Sequence, residues 1–333
     1  MLLGFDIGGT KCAVVLGTKN ADNDLQIIDK QVLPTNRLVY PMIEQLFTTA
    51  DDLLLKHGIP TENIEGIGIS CGGPLSSKKG LILSPPNLPG WDNIPIVSLA
   101  EKKFGRKTFL QNDANACAMA EWKHGAGRGY NNIIFLTFGT GMGAGLILDG
   151  KLYSGTSDLA GEVGHIRLAD RGPVGFGKEG SFEGFCSGGG IAQIAQVKVR
   201  QKLQMGQPVS FCKSLEELPF LTAKMVAEAA YQHDPVALDI YRTCGHYLGI
   251  GLSLFIDILN PEIIIMGSIY GRAQELLEPY MREVIQAEAI EESRKACRIV
   301  PALLSENIGD IAALCLAETI ATEYSDHTIP TRN

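Results

Sequence analysis

The sequence predicts an α/β protein built from two related lobes. Three observations carry this expectation: a length of 333 residues, an opening strand–glycine turn–strand unit, and a second such unit near residue 132. One hydrophobic core rarely serves a chain this long, so about two domains are expected. The first unit reads LLGFDI-GGT-KCAVVLG and the second NIIFLTF-GTGMGAG-LILDGKLY. They match in layout, not letter for letter.

The elements follow in order. LLGFDI, KCAVVLG and LQIIDKQVL alternate and are rich in β-formers, which predicts three consecutive strands. From Pro41 to His57, Ile43, Leu46, Phe47, Leu53 and Leu54 recur at helical spacing. IEGIGISC reads as a short buried strand that ends at the Gly72-Gly73-Pro74 break, and SPPNLPGWDNIP as a proline-punctuated loop. KTFLQND is a further strand, and ANACAMAEWKHG the helix after it. The lobe boundary is expected within this helix, giving an N-terminal lobe 1–118 and a C-terminal lobe 119–308. The apolar run LGIGLSLFIDILNPEIIIMG is broken by Asp257, Asn260, Pro261 and Glu262, so it predicts a buried helix and then a buried strand, not a membrane span. The last helix, GDIAALCLAETIATEY, is expected to return as 309–325 and cover the sheet of the first lobe.

Composition narrows the function. The net charge is −8, which disfavours nucleic acid or an anionic membrane as a partner, since both require clustered Lys and Arg. The eight cysteines are scattered without a C-x-x-C pair and read as reduced, packed thiols. MLLGFDIGG lacks a basic region and a small-residue cleavage site, so a cytoplasmic protein is expected.

DIGGTK and FGTGMGAG are the first chemical signals. Glycine lets backbone N–H groups approach a phosphate. Neither stretch is a G-x-x-x-x-G-K-[ST] loop, and LILDG after the second alternates like a strand, whereas a dinucleotide fingerprint needs a helix there. One such turn could be a plain hairpin. Two of them, one with Asp6, Thr10 and Lys11 and the other with Thr140, point to a nucleotide held between lobes.

The carboxylates come next. Asn112 and Asp113 follow a strand directly; either could cap the next helix, and either could project into an interlobe crevice. There Asp113 could accept a proton from a substrate hydroxyl. Glu162, His165 and Glu183 extend a set of small polar groups suited to the hydroxyls of a sugar.

GFDIGGTK, GISCGGP, SPPNLPGW, QNDANACAMAEW, TFGTGMGAGLILDGKLYSGTSDLAGEVGH and LNPEIIIMG, in this order, resemble the ROK family of sugar kinases and sugar-responsive repressors. The resemblance implies a two-lobed actin-like (ribonuclease H-like) ATPase fold, with phosphotransfer across the cleft. It implies Asp113 as the base toward a hexose hydroxyl, usually the 6-hydroxyl. Asn112, Glu162, His165 and Glu183 would hold the sugar, with Asn87 and the backbone at Gly72 and Gly73 nearby. Asp6, Gly8, Gly9, Thr10, Lys11, Thr140 and Gly141 would surround the triphosphate of ATP and Mg²⁺, and Gly267 would lie near the adenosine. The substrate classes it implies are hexoses, N-acetylhexosamines or fructose, and members are often homodimers. A non-catalytic sugar sensor or a regulator is the other reading. The family's repressors carry a winged helix ahead of the DIGGTK strand, which here starts at Leu2.

Two positions depart from the family pattern. Gly267-Ser268 stands where a glycine pair is usual. The zinc knuckle C-x-C-G-x-x-G-C-x-E reads V-G-F-G-K-E-G-S-F-E, so the cysteine positions are Val174, Phe176 and Ser181. These side chains offer no thiolate, so no structural zinc is expected, whether or not Cys186 and His165 lie close. Packing of Val174, Phe176 and Phe182 is expected to hold this loop instead and to keep Glu183 in place.

Overall fold

The computed structural model describes residues 1–326. Strands β1 (Leu2–Ile7), β2 (Lys11–Lys19) and β3 (Leu25–Pro34) form an antiparallel meander, and helix α1 (Val39–Lys56) follows. β4 (Gly66–Cys71) then pairs parallel to β1. A small hairpin, β5 (Leu75–Ser76) and β6 (Leu81–Ile82), precedes helix α2 (Ile96–Phe104). β7 (Thr108–Asn112) joins parallel to β4 and leads directly into α3 (Asp113–His124). The first sheet has the order β3-β2-β1-β4-β7.

The second half repeats this plan. β8 (Ile133–Phe138), β9 (Met142–Leu148) and β10 (Lys151–Leu152) form another antiparallel meander. The chain then makes a hairpin of β11 (Val174–Gly175) and β12 (Lys178–Glu179), a short helix α4 (Phe182–Phe185), and helices α5 (Gly188–Gln204), α6 (Ala223–Tyr231) and α7 (Pro235–Leu259). β13 (Ile263–Met266) pairs parallel to β8; α8 (Ile269–Glu288) and α9 (Glu291–Ala296) lead to β14 (Arg298–Pro301), parallel to β13. α10 (Ile308–Asp326) ends the described chain. The second order, β10-β9-β8-β13-β14, matches the first in sequence and in strand direction.

The two lobes exchange helices. α10, at the end of the second half, packs on the first sheet, so closely that a Cβ on Gly68 would lie 2.0 Å from the Ala313 carbonyl oxygen. α3, at the end of the first half, packs on the second sheet, and a Cβ on Gly145 would lie 2.4 Å from the Ala114 carbonyl oxygen. The two helices touch, and a core of Ala116, Cys117, Phe135, Ile265, Cys315 and Leu316 joins the lobes. α1 and α2 cover the outer face of the first sheet, and α5 to α8 build the larger core of the second.

The apolar run ends as its punctuation implies. α7 stops at Leu259, Asn260 adopts a left-handed cap with φ 43°, and β13 begins two residues after Pro261. The second glycine stretch is shorter as a turn than GTGMGAG reads. β9 already begins at Met142, so Gly143 and Gly145 are strand residues, and Gly145 serves the close approach of α3. Among the described residues no helix is long and apolar enough to cross a membrane.

Candidate functional site

Both glycine turns close antiparallel hairpins at one end of their sheets. In the first, Gly8 N donates to the Lys11 carbonyl (3.2 Å), and Thr35 supports the turn through Oγ1 to the Gly8 carbonyl (2.6 Å). A Cβ on Gly9 would lie 2.4 Å from the Asn87 carbonyl oxygen, so the proline-rich loop presses against this turn. Asn87 lines a cavity with Gly9, Thr35 and Arg37, separate from the one formed by Glu162, His165 and Glu183.

Asp6 stands in β1 just before this turn. Burial raises its carboxyl to about 6, and the neighbouring charges of Asp113 and Asp310 add to the rise against the opposing Lys30 and Lys11. Asp310 is buried in the first turn of α10, where it accepts from Lys30 Nζ at 2.6 Å. Sequence reasoning missed Asp310; its only signal is a carboxylate at the start of the returning helix.

The β7–α3 junction resolves the capping question. Asn112 is the cap: its Oδ1 accepts from Ala114 N (2.9 Å) and Asn115 N (3.4 Å). Its amide also faces the Gly73 backbone. Asp113 is the first helical residue; its Oδ1 accepts from the same Ala114 N at 2.8 Å, and its charge acts on both Asp6 and Glu162. Its side chain is exposed, yet desolvation by the surrounding protein raises its carboxyl despite that hydrogen bond.

In the second lobe Glu183 is the pivot. It lies on α4, and its Oε2 accepts from Met142 N at 3.0 Å, which ties the knuckle loop to the second glycine turn. A Cβ on Gly141 would lie 2.7 Å from this same oxygen. Glu162 and His165 flank a single helical turn nearby. Burial raises the Glu162 carboxyl, and the charges of Asp113 and Glu183 add to the effect. Gly73, Pro74, Glu162, His165, Phe176 and Glu183 are among the residues lining one cavity of about 390 Å³.

The second turn has a further neighbour. Gly188 N donates to the Gly139 carbonyl at 2.8 Å, so the N-terminus of α5, capped by Ser187, abuts Gly139 and Thr140. Sequence reasoning passed over this Ser187–Gly190 run; a cap residue before three glycines was the available signal. Gly267 follows β13, with its N–H on the Leu136 carbonyl. The adjoining Ser268, at φ 51°, approaches Gly139 through its hydroxyl, which accepts from Arg272 Nη2.

The knuckle loop corrects one expectation. Phe182 is fully buried, but Val174 and Phe176 are 47% and 69% exposed, so packing of these two does not hold the loop. Hydrogen bonds hold it instead. Gln193 clamps the Val174 backbone from both sides (2.9 and 2.8 Å). Lys178 Nζ donates to the His165 carbonyl (2.7 Å). Ser181 is fully buried; its Oγ accepts from Gly184 N (3.1 Å) and donates to the Gly175 carbonyl (3.4 Å). The three positions thus supply one committed hydroxyl and two hydrocarbon side chains, which does not fit zinc. Cys186 is buried, with its thiol on the Cys244 carbonyl. Among the described residues, the cluster with metal-ligand character is His124, Cys315 and Glu318, where α3 meets α10. Lys19 Nζ already lies 3.2 Å from the Glu318 carboxylate there.

Two matched sheets, exchanged helices and a glycine turn closing the first hairpin of each sheet define the two-lobed, actin-like ATPase fold. Within that class the chain belongs to the ROK family, whose profile matches residues 2–320. A glucokinase from Thermotoga maritima is 31% identical over 94% of this chain and 95% of its own. A xylose repressor from Caldicellulosiruptor bescii is 30% identical over 73% of this chain and 60% of its own. A solved ROK family glucokinase from Streptomyces griseus, in complex with glucose and AMPPNP, superposes with a TM-score of 0.73 at 28% identity, covering 96% of this chain and 99% of that one.

Proposed function

We propose that this protein is an ATP-dependent hexose kinase of the glucokinase type, transferring phosphate to the 6-hydroxyl. The observation that carries the reading is Asp113: an exposed carboxylate with a raised proton affinity at the β7–α3 junction, whose charge acts both on Asp6 beside the first glycine turn and on Glu162 in the second lobe. The near full-length likeness to named glucokinases supports it.

Asn112, Glu162, His165 and Glu183 orient the sugar, with the Gly73 backbone opposite, so that a hydroxyl donates to Asp113. The proton of that hydroxyl passes to Asp113 as its oxygen attacks the γ-phosphorus and the bond to the β-phosphate bridging oxygen breaks, releasing ADP. The backbone at Gly8, Gly9, Thr10, Thr140 and Gly141, with Lys11, holds the triphosphate, and Gly267 borders the adenosine. Asp6 and Asp310 are neighbouring hard oxygen donors, with Lys30 on Asp310, and such a carboxylate pair would suit Mg²⁺. Bound Mg²⁺ supplies neutralisation of phosphate charge. Closure of the lobes excludes water and protects ATP from hydrolysis.

The test is ADP release with Mg·ATP over glucose, mannose, fructose, allose, N-acetylglucosamine and N-acetylmannosamine. Turnover fastest with an unsubstituted hexose supports the reading. Preference for an N-acetylhexosamine moves it to that substrate class. Sugar binding without turnover on any of them makes the protein a sensor, as the repressor relatives allow.

A further inference from the structure

We propose that Phe176 is a sugar-binding residue that stacks on the apolar C–H face of the hexose and sets preference among epimers. This rests on the sugar-kinase reading above. The starting point is an aromatic side chain in an unfavourable place. Phe176 and Gly177 are the two turn residues between β11 and β12, with φ 44° and 73°. A two-residue hairpin turn with both φ positive favours Asn, Asp or Gly at its first position. A bulky residue there carries backbone strain, and such outliers cluster at functional sites.

Burial of the ring does not compensate the strain. Phe176 remains 69% exposed, so it adds little to the core. Its ring instead lines the cavity that holds Glu162, His165 and Glu183, edge-on to the His165 imidazole at 6.2 Å between centroids. Leu159, also partly exposed, lines the same cavity, so its wall combines apolar side chains with carboxylates. That combination suits a pyranose with all hydroxyls equatorial: polar groups around its edge and bare C–H bonds on its faces. Each aromatic contact of this kind is modest, and its worth falls when an axial hydroxyl meets the ring.

The hairpin is also built to hold the ring still. Gln193 clamps one end of it, and Lys178 fastens the other to the His165 backbone. The turn and His165 therefore move as one unit, and Phe176 keeps its aim relative to the residues that bind hydroxyls.

The experiment compares Phe176→Asn and Phe176→Tyr with the wild type, using steady-state kinetics and calorimetric binding of glucose and its C2, C3 and C4 epimers. Asn fits the turn better than Phe, so this variant keeps or gains thermal stability and separates binding from folding. Phe176→Asn is expected to raise the glucose KM about three- to tenfold with little change in kcat, and Phe176→Tyr to stay near the wild type. Preference for glucose over the epimers should shrink in Phe176→Asn. An unchanged KM, an unchanged epimer ratio, or a fall in kcat alone overturns the proposal while leaving the kinase reading intact. A wild-type protein that binds and phosphorylates no hexose overturns both.

Discussion

The turns that close β1–β2 and β8–β9 stand at equivalent points of two sheets with the same order and pairing, yet their chemistry differs. The residue two places before each turn is Asp6 in β1 and Thr137 in β8. Burial, with the charges of Asp113 and Asp310 adding to it, raises the Asp6 carboxyl to about 6. Thr137 is neutral, and its Oγ1 accepts from Gly143 N at 2.8 Å within its own hairpin. The backbone scaffold is duplicated and the charge is not. In the proposed kinase, phosphates would take N–H groups from both turns, but a cation and a proton acceptor would be needed on one side only. The second turn is instead braced by Glu183, which connects it to the cavity lined by Glu162 and His165.

This asymmetry can be broken first at its acidic side. Asp113→Asn is expected to lower kcat by about 10²–10⁴-fold while calorimetry still shows sugar binding. Near-normal turnover would remove Asp113 from the base role. The same residue sets a pH limit. As the proposed base, Asp113 would work only when deprotonated, and its raised proton affinity predicts that kcat/KM falls, as pH is lowered, above the range of an ordinary aspartate. A profile flat down to that ordinary range would contradict the desolvated site.

Exchanging the paired positions sharpens the contrast. Asp6→Asn should cost about 10²–10³-fold in kcat/KM for Mg·ATP, through lost charge organisation at the phosphates. Thr137→Val should cost about 1 kcal/mol of stability, the worth of its hairpin hydrogen bond, with activity nearly retained. Equal catalytic losses at both positions would mean that the turns share one role.

Away from the turns the lobes should behave alike. Gly68→Ala and Gly145→Ala each place a methyl group against the backbone of an exchanged helix. Each is expected to destabilise by about 1–3 kcal/mol in denaturant unfolding. If one is tolerated, that helix shifts without cost and the docking is not equivalent.

The repeat itself was legible because strands and glycine turns leave local patterns. LLGFDI and NIIFLTF each read as strands, and the apolar run from 248 divides into α7 and β13 at Asn260-Pro261. The second turn was overread because Gly143 and Gly145 are strand residues, and the missing side chain of Gly145 serves a helix that lies about 30 residues earlier in the chain. The N-terminus of α5 was hidden because three glycines argue against a helix, and only burial against Gly184 and the Ser187 cap justify them. In the site, the order of Asn112 and Asp113 could not be read from spacing, since both residues cap well. Backbone geometry decides between them: Asn112 takes the Ala114 and Asn115 N–H groups, and Asp113, already inside the helix, shares only the first.

The smallest effect concerns the knuckle loop, where the second lobe departs from the metal-bound pattern. Treatment with a zinc chelator, with Mg²⁺ restored, is expected to leave activity and thermal stability unchanged, and elemental analysis should find no stoichiometric zinc. One zinc per chain together with activity lost to the chelator would sink this account. The loop's substitute should then be measurable one bond at a time. Ser181 caps α4 and bonds back to Gly175, so Ser181→Ala removes a buried acceptor and a buried donor together. About 1 kcal/mol of stability should go with the cap. Because α4 carries Glu183, and Glu183 holds Met142 N, part of that loss should appear as a higher KM for both sugar and ATP. A loss of stability with both KM values unchanged would show that Glu183 is placed by the second turn itself and not by the loop.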